Sequence, residues 1–300
     1  MNEDRPNPLE DGLPPEWASR WGEDRQGVYV GFEIKGVEQI LRWIPPGTFM
    51  MGSPEEEPGR LPWEGPQHEV TITQGYWLGE TPVTQALWKA VMGDSPRAFV
   101  HNQRPIEHVD FQMVEDFIAR TGALIPGLGL RLPSESEWEY ACRAGTTDAT
   151  YEGPIKILGE HNAPALDEIA WYGGNSGQGF DLPAGIDTSD WKEMQYANPR
   201  AGTRLVKTRR RNPWGLYDML GNVWEWCADG ADGAPDSYSL EPASDPVAPA
   251  GERPNRVVRG GSWGAHAGGV RAAYRNASHR DLRDRSLGFR VARGRAPEGR

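Results

Sequence analysis

The chain is poor in the residues that carry most enzyme chemistry. It has two cysteines in 300 residues, Cys142 and Cys227, and neither sits in a CxxC pair. That is too few for a disulfide framework. A lone cysteine in the helical stretch around Tyr140 is expected as a small buried hydrophobe rather than a nucleophile. There are six histidines and no HxxxH pair on a helix. His101 and His108 flank a proline, which suits a loop better than a pair of metal ligands. No deep glycine-rich phosphate cradle and no nucleophile–base pair is visible. No apolar run approaches the length of a membrane span. A net charge of −11 disfavours bulk electrostatic binding to nucleic acid or to an anionic membrane. The N-terminal MNEDRPNPLEDGLPPEW has no basic start and no apolar h-region, so it does not read as a Sec signal. Cytoplasmic residence is the default expectation, with export by another route left open.

What is abundant is glycine (37), proline (26) and tryptophan (13), against only 37% hydrophobic residues. That profile suits a loop-rich α+β domain whose core relies on aromatics, not a helical bundle. The densest stretch is NPWGLYDMLGNVWEW, Asn212 to Trp226, which packs Trp214, Trp224 and Trp226 among Leu216, Tyr217 and Met219. Aromatic side chains bury large areas, so this stretch marks a core centre. Gly215 and Gly221-Asn222 tolerate left-handed backbone angles and break any regular period, predicting tight turns.

Along the chain, residues 1–27 form a polar, Pro-rich lead, and 28–296 are expected to be one domain followed by a short tail, 297–300. VYVGFEI and QILRWI alternate as two strands joined at Lys35-Gly36. His68 to Ile72 alternates as a third. Thr81 can cap a helix with Pro82 at its first position, and Leu87, Trp88 and Val91 then fall at helical spacing. Pro105 to Val109 reads as a short strand, and Asp110 caps a second helix carrying Val114, Phe117 and Ile118. In LRLPSESEWEYACRAG, Ser134 is a helix N-cap and Glu137 its capping-box partner. Glu135, Glu137 and Glu139 could be a catalytic carboxylate cluster, but a helix N-terminus that favours negative charge accounts for them more simply. Residues 177–198 look like an insertion.

These blocks resemble the formylglycine-generating-enzyme-like (sulfatase-modifying factor) family. The resemblance runs through Phe49 and Met51-Gly52-Ser53, Glu80 to Thr84, Leu130 to Gly145, Asn175-Ser176, the central stretch, and the closing RVVRGGSW and LGFRVAR. These blocks, in the correct order, cover roughly Trp43 to Arg293. The resemblance implies a C-type-lectin-like fold, with a mixed twisted sheet, two main helices and much irregular loop. Fold does not fix function.

The oxidase of this family binds copper through a cysteine pair just after the Arg-Gly-Gly-Ser-aromatic block. Soft thiolates are what Cu(I) chemistry requires. On this chain the pair would fall at Ala265 and Val270, so both thiols are missing. In that oxidase the cysteine matching Cys142 pairs with one near the chain end, where this chain has Val291. Iron-dependent relatives draw ligands largely from histidines of a separate helical domain, which six scattered histidines do not reproduce. A family enzyme of unknown substrate without the copper-binding pair remains the alternative to a binding protein.

The binding reading rests on Gly264 to Ser286, GAHAGGVRAAYRNASHRDLRDRS. VRAAYR keeps core-like character within it, and Asp281 and Arg283 look fixed. Gly264, Ala265, His266, Gly269, Asn276, Ala277, Ser278, Leu282, Asp284, Arg285 and Ser286 are small, polar or idiosyncratic. With Tyr274 as an aromatic anchor they form the candidate binding surface. The layout is similar to the variable proteins of diversity-generating retroelements, which use this fold and end a C-terminal variable region in a Gly-Phe-Arg strand. There, AAC codons are mutated at adenines, which cannot yield Lys, Glu, Gln, Met or Trp. None of these five occurs between Gly264 and Ser286. Residues on a segment held by a rigid scaffold are suited to binding, so the expected partner is a protein or other macromolecular surface, with no nucleic acid. The resemblance also implies a structural Ca²⁺ near Asn222 and Glu225. A turn asparagine and a salt-bridged glutamate are the other reading of that pair.

Overall fold

The computed structural model describes residues 9, 13–180, 183–233 and 238–295. The α+β mixture expected from composition is observed. The chain opens with three strands, β1 (Arg20–Asp24), β2 (Gly27–Ile34) and β3 (Val37–Ile44). β1 corrects the expected boundary, because the polar lead stops short of residue 20 and RWGED pairs antiparallel with β2. Neither face of β1 enters the core. An edge strand of that kind shows no apolar alternation, which is why composition concealed it. β2 and β3 form the hairpin expected around Lys35-Gly36, both at positive φ.

β4 (Gly47–Met51), β5 (His68–Ile72) and β6 (Tyr76–Gly79) follow, then α1 (Gln85–Met92). The cap of α1 is Thr84, whose hydroxyl accepts from the Leu87 N–H at 3.2 Å, and not Thr81. Either threonine satisfies the local rule. The backbone decides, since the Val83 N–H donates to Phe289 O and the Val83 carbonyl accepts from Ile106 N–H, which holds that residue extended. Pro105 to Val109 is not a strand. It makes one bridge, from Pro105 to Thr84, and His108 turns the chain at φ 65°.

α2 (Phe111–Leu124) is capped by Asp110 as expected, and β7 (Leu130–Arg131) leads to α3 (Glu135–Arg143). α3 is the further helix that its Ser134 cap implies, beside the two main ones. Ser134 and Glu137 form its capping box. Every residue of α3 is buried, so its charges need partners. Glu139 pairs with Arg143 and Arg259, Glu135 with Arg275, and Glu137 with Arg131. The three glutamates are therefore structural and do not form a catalytic cluster.

The rest is short strands: β8 (Ile186–Asp187), β9 (Arg200–Ala201), β10 (Trp224–Ala231), β11 (Ala243–Ser244), β12 (Asn255–Arg259), β13 (Arg275–His279), β14 (Leu287–Gly288) and β15 (Ala292–Arg293). A six-stranded sheet runs β1-β2-β3-β6-β15-β7, and a four-stranded one β13-β12-β10-β14. The pairing is mixed, with β14 parallel to β10 and β11 parallel to β5. Two main apolar cores result. One gathers around Trp138, Tyr140 and Trp214, the other around Trp88, Phe117, Phe289 and Trp226. The central stretch supplies both, although Tyr217 and Trp224 are only partly buried. Trp224 belongs to the site described next.

Candidate functional site

Gly260 (φ 95°) and Gly261 (φ 73°) turn the chain out of β12. Neither can carry a side chain, since a Cβ would lie 2.9 Å from Met219 O at Gly260 and 2.6 Å from Gly269 O at Gly261. They deliver Trp263, which fastens both ends of the segment that follows. Its ring meets Phe99 edge-on at 5.4 Å, and its carbonyl accepts from the Ser176 hydroxyl at 2.7 Å. Its indole N–H donates to the Arg285 carbonyl at 3.1 Å. The return end is also tied through backbone. His108 N–H donates to Asp284 O, and Trp224 N–H to Ser286 O.

Between these ties lies an open cavity of about 530 Å³. Gly264, Ala265, His266 and Gly269 line one side, Asp284, Arg285 and Ser286 the other. Tyr274 lies between Trp224 (ring centroids 5.7 Å) and His266 (5.8 Å, edge-on). Burial, with the nearby His161 and Arg271, pushes the His266 pKa below its ordinary value. Eight of the twelve candidate positions thus share one concave surface.

The other four do not reach it. Asn276, Ala277 and Ser278 lie on β13, the outer strand of its sheet, and Leu282 follows at 42% exposure. Ala277 packs against the first core and is not a free display position. β13 carries the chain away from the cavity. Tyr274 lines it, but the next residue, Arg275, turns to Glu135 with both guanidinium arms.

The sequence reading missed the rest of the lining: Glu160, His161, Ile186, Trp224, Ser262 and Trp263. Trp224 reads as core from its place in the central stretch, and Trp263 as the end of the RVVRGGSW block. The insertion at 177–198 supplies Ile186 and also Trp191, which stacks on His161 at 5.2 Å and on Trp263 at 6.0 Å. A tryptophan in an otherwise polar insertion was the available signal.

Behind the Asp284–Ser286 wall, Glu107 is fully buried. One carboxylate oxygen accepts from the Ala98 and Phe99 N–H groups, at 2.6 and 3.0 Å. Burial pushes its pKa up to about 7.

The cavity offers contact surface but no thiolate. Ala265 and Val270, where the family resemblance leads one to expect the cysteine pair, carry no thiol, and Val270 is fully buried. Cys142 and Cys227 are free and buried, outside the cavity lining. Burial pushes Cys142 up to about 12 and Cys227 well above the ordinary thiol range. The residues named for Ca²⁺ do not fit a cation. Asn222 turns the chain at φ 61° and its Oδ1 accepts from Arg204 N–H. Glu225 accepts Arg290 through both oxygens and also the Trp138 indole N–H. They are a turn asparagine and a salt-bridged glutamate. Among the described residues no group of three His, Cys, Asp or Glu side chains comes together to hold a metal ion, and no helix is long and apolar enough to cross a membrane.

Comparison with known proteins agrees with this architecture. The Sulfatase-modifying factor enzyme 1-like domain matches residues 35–295, so the chain belongs to that family. It is 34% identical to the formylglycine-generating enzyme of Streptomyces coelicolor over 221 residues, 72% of this chain and 60% of the relative. It is 32% identical to the chaperone protein LppX of Paenibacillus barcinonensis over 228 residues, 65% of this chain and 71% of the relative. This chain thus spans less than two thirds of the Streptomyces enzyme's length. Among solved structures it is similar to Treponema denticola variable protein 1, with TM-score 0.67 and 26% identity over 88% of this chain and 98% of the other. PvdO from Pseudomonas aeruginosa superposes with TM-score 0.63 and 25% identity, over 93% and 99%.

Proposed function

We propose that this member of the sulfatase-modifying factor family is a non-catalytic binding protein, and that its ligand is a protein or other macromolecular surface held at the Gly264–Ser286 cavity. The observation that carries the reading is the division of labour at the cavity. Seven idiosyncratic positions and the Tyr274 anchor line it, while its ends are fastened by Trp263 and by backbone hydrogen bonds. A backbone held in this way keeps its path when the side chains change.

The glycines support the same reading. A Cβ added at Gly264 would have the Trp191 ring as its nearest neighbour, at 3.6 Å, and one at Gly269 the His266 ring, at 3.4 Å, and the Ala265 Cβ, at 3.7 Å. Both positions can accept side chains. Tyr274, His266 and Arg285 supply an aromatic floor, a polar ring and a cation, the residue types that dominate binding energy at protein interfaces. The likeness to a Treponema denticola variable protein points the same way, and so does the absence of Lys, Glu, Gln, Met and Trp from residues 264–286.

The test is the DNA flanking the gene. A near-copy of the codons for residues 264–286, differing only at adenines and lying beside a reverse-transcriptase gene, would establish a diversified binding surface. With no such repeat, the diversification is wrong and the segment is an ordinary loop. The competing reading, a metal-dependent oxidase of this family, would gain from copper or iron bound tightly to the purified protein or from turnover of a cysteine-containing peptide.

A further inference from the structure

A second cavity, of about 570 Å³, opens where α3, β5 and β13 meet the 238–248 loop. It shares no lining residue with the first. Consecutive residues divide between the two, Tyr274 in one and Arg275 in the other.

Its polar lining is weighted towards acceptors. Asp229 is buried, and each of its oxygens takes one backbone N–H, from Glu135 at 2.6 Å and Ala248 at 2.7 Å. A carboxylate of this kind retains further acceptor capacity. The Glu135 carboxylate is adjacent, neutralised by Arg275. His68 Nδ1 lies 3.3 Å from Pro66 O, which places the proton on Nδ1 and leaves Nε2 as an acceptor. Burial lowers the His68 pKa, so the ring is neutral at pH 7. Glu241 and Asp245 add negative charge along the lining. Met51, Val257, Pro242 and Val247 supply apolar wall.

One polar atom has no role within the fold. The Tyr238 ring is held between His68, at 4.8 Å, and the Arg275 guanidinium, at 4.1 Å. Its hydroxyl is buried and, among the described residues, has no hydrogen-bond partner. A buried polar atom left unsatisfied costs free energy, and a ligand that completes it recovers that cost.

We infer that this cavity binds a small aliphatic ammonium compound, with the ammonium at Asp229, its alkyl body against the apolar wall, and the Tyr238 hydroxyl hydrogen-bonded to the ligand. An ammonium brings donors and positive charge to a lining that has acceptors and negative charge in excess. Arg275 cannot fill that role, because its guanidinium is committed to Glu135 and the Trp63 carbonyl. Burial and the Glu135 charge push the Asp229 pKa up to about 7. A bound cation would draw it back down, so binding at pH 7 should release protons. The charged and titratable groups acting on Asp229 are Glu135, Arg275 and Cys227, and His68, Tyr238, Glu241 and Asp245 share the cavity lining with it.

The experiment is titration calorimetry and thermal melting of the full chain with four probes of one size: 1,4-diaminobutane, butylamine, butanol and butyrate. The expected result is that both amines bind and raise Tm, with proton release at pH 7, while butanol and butyrate do neither. Tyr238→Phe should keep or raise the Tm of the free protein and weaken amine binding by about tenfold, the loss of one hydrogen bond. Asp229→Asn should abolish amine binding. If that variant does not fold, the Tyr238→Phe result decides. Equal binding of butanol, preferred binding of butyrate, failure of both amines to bind, or undiminished amine affinity in Tyr238→Phe would each overturn the assignment.

Discussion

Gly261 and Gly264 lie three residues apart and meet opposite demands. Gly261 sits at φ 73° with Gly269 O where a Cβ would go, so no other residue fits. Gly264 faces ordinary van der Waals space beside Trp191. The same contrast separates the arginines. Arg259, Arg271 and Arg290 are buried and ion-paired to Glu139, Glu64 and Glu225, whereas Arg285 is exposed. Scaffold and display surface are interleaved along one stretch of chain, and the difference lies in what each side chain touches. Glycine or arginine content alone does not separate them.

That contrast can be broken at several points. The largest effect is expected from Gly221→Ala, where φ is 77° and the new Cβ would meet Trp171 O at 2.3 Å. Backbone faces backbone there, so relief requires moving the bridge between Trp171 and Gly221. A loss of more than about 4 kcal/mol is expected from chemical denaturation. Glu139→Gln comes next. It leaves Arg143 and Arg259 short of their shared carboxylate, and removing one member of a buried pair costs about 3–5 kcal/mol.

A pH effect of intermediate size is expected at Glu107. Its folded pKa, about 7, lies above that of an unfolded glutamate, so the folded state holds the proton more tightly. Its contribution to stability is therefore complete below about pH 4 and is lost as pH rises towards 7. Glu107→Gln cannot ionise. Its Tm relative to the parent should be more favourable at pH 8 than at pH 5, and a difference independent of pH would contradict the assignment. The smallest effects belong to the display positions. Replacing His266 and Arg285, both on the cavity lining, together with Ala should leave Tm nearly unchanged while removing ligand binding. If melting moved in step with binding, these side chains would be structural.

Much of the scaffold was readable from sequence because local rules and tertiary demands agree there. Asp110 and Ser134 cap the helices their spacing implies, and Gly221-Asn222 turns where the residue types require positive φ. The reading failed where distant pairing chose between local equals. Thr84 displaced Thr81 as a cap because Val83 is held extended by Phe289 and Ile106. β1 was invisible because an edge strand with two exposed faces has no apolar alternation. The cavity was half legible. Its idiosyncratic positions stand out by composition, but Trp224 reads as core from the aromatic stretch around it, and Trp263 is both buried and part of the lining. Nothing local separates Asn276 from Asp284, and only the path of β13 takes one of them away from the cavity.

A saturation scan of residues 255–293, read by resistance to proteolysis, would test the division between scaffold and display surface. The expected outcome is broad tolerance at Gly264, His266, Gly269, Asp284, Arg285 and Ser286, with near-complete intolerance at Arg259, Gly260, Gly261, Arg271 and Arg275. Equal sensitivity in the two sets would mean that the cavity residues hold the fold together, and the account of a rigid scaffold carrying an exchangeable surface would be wrong.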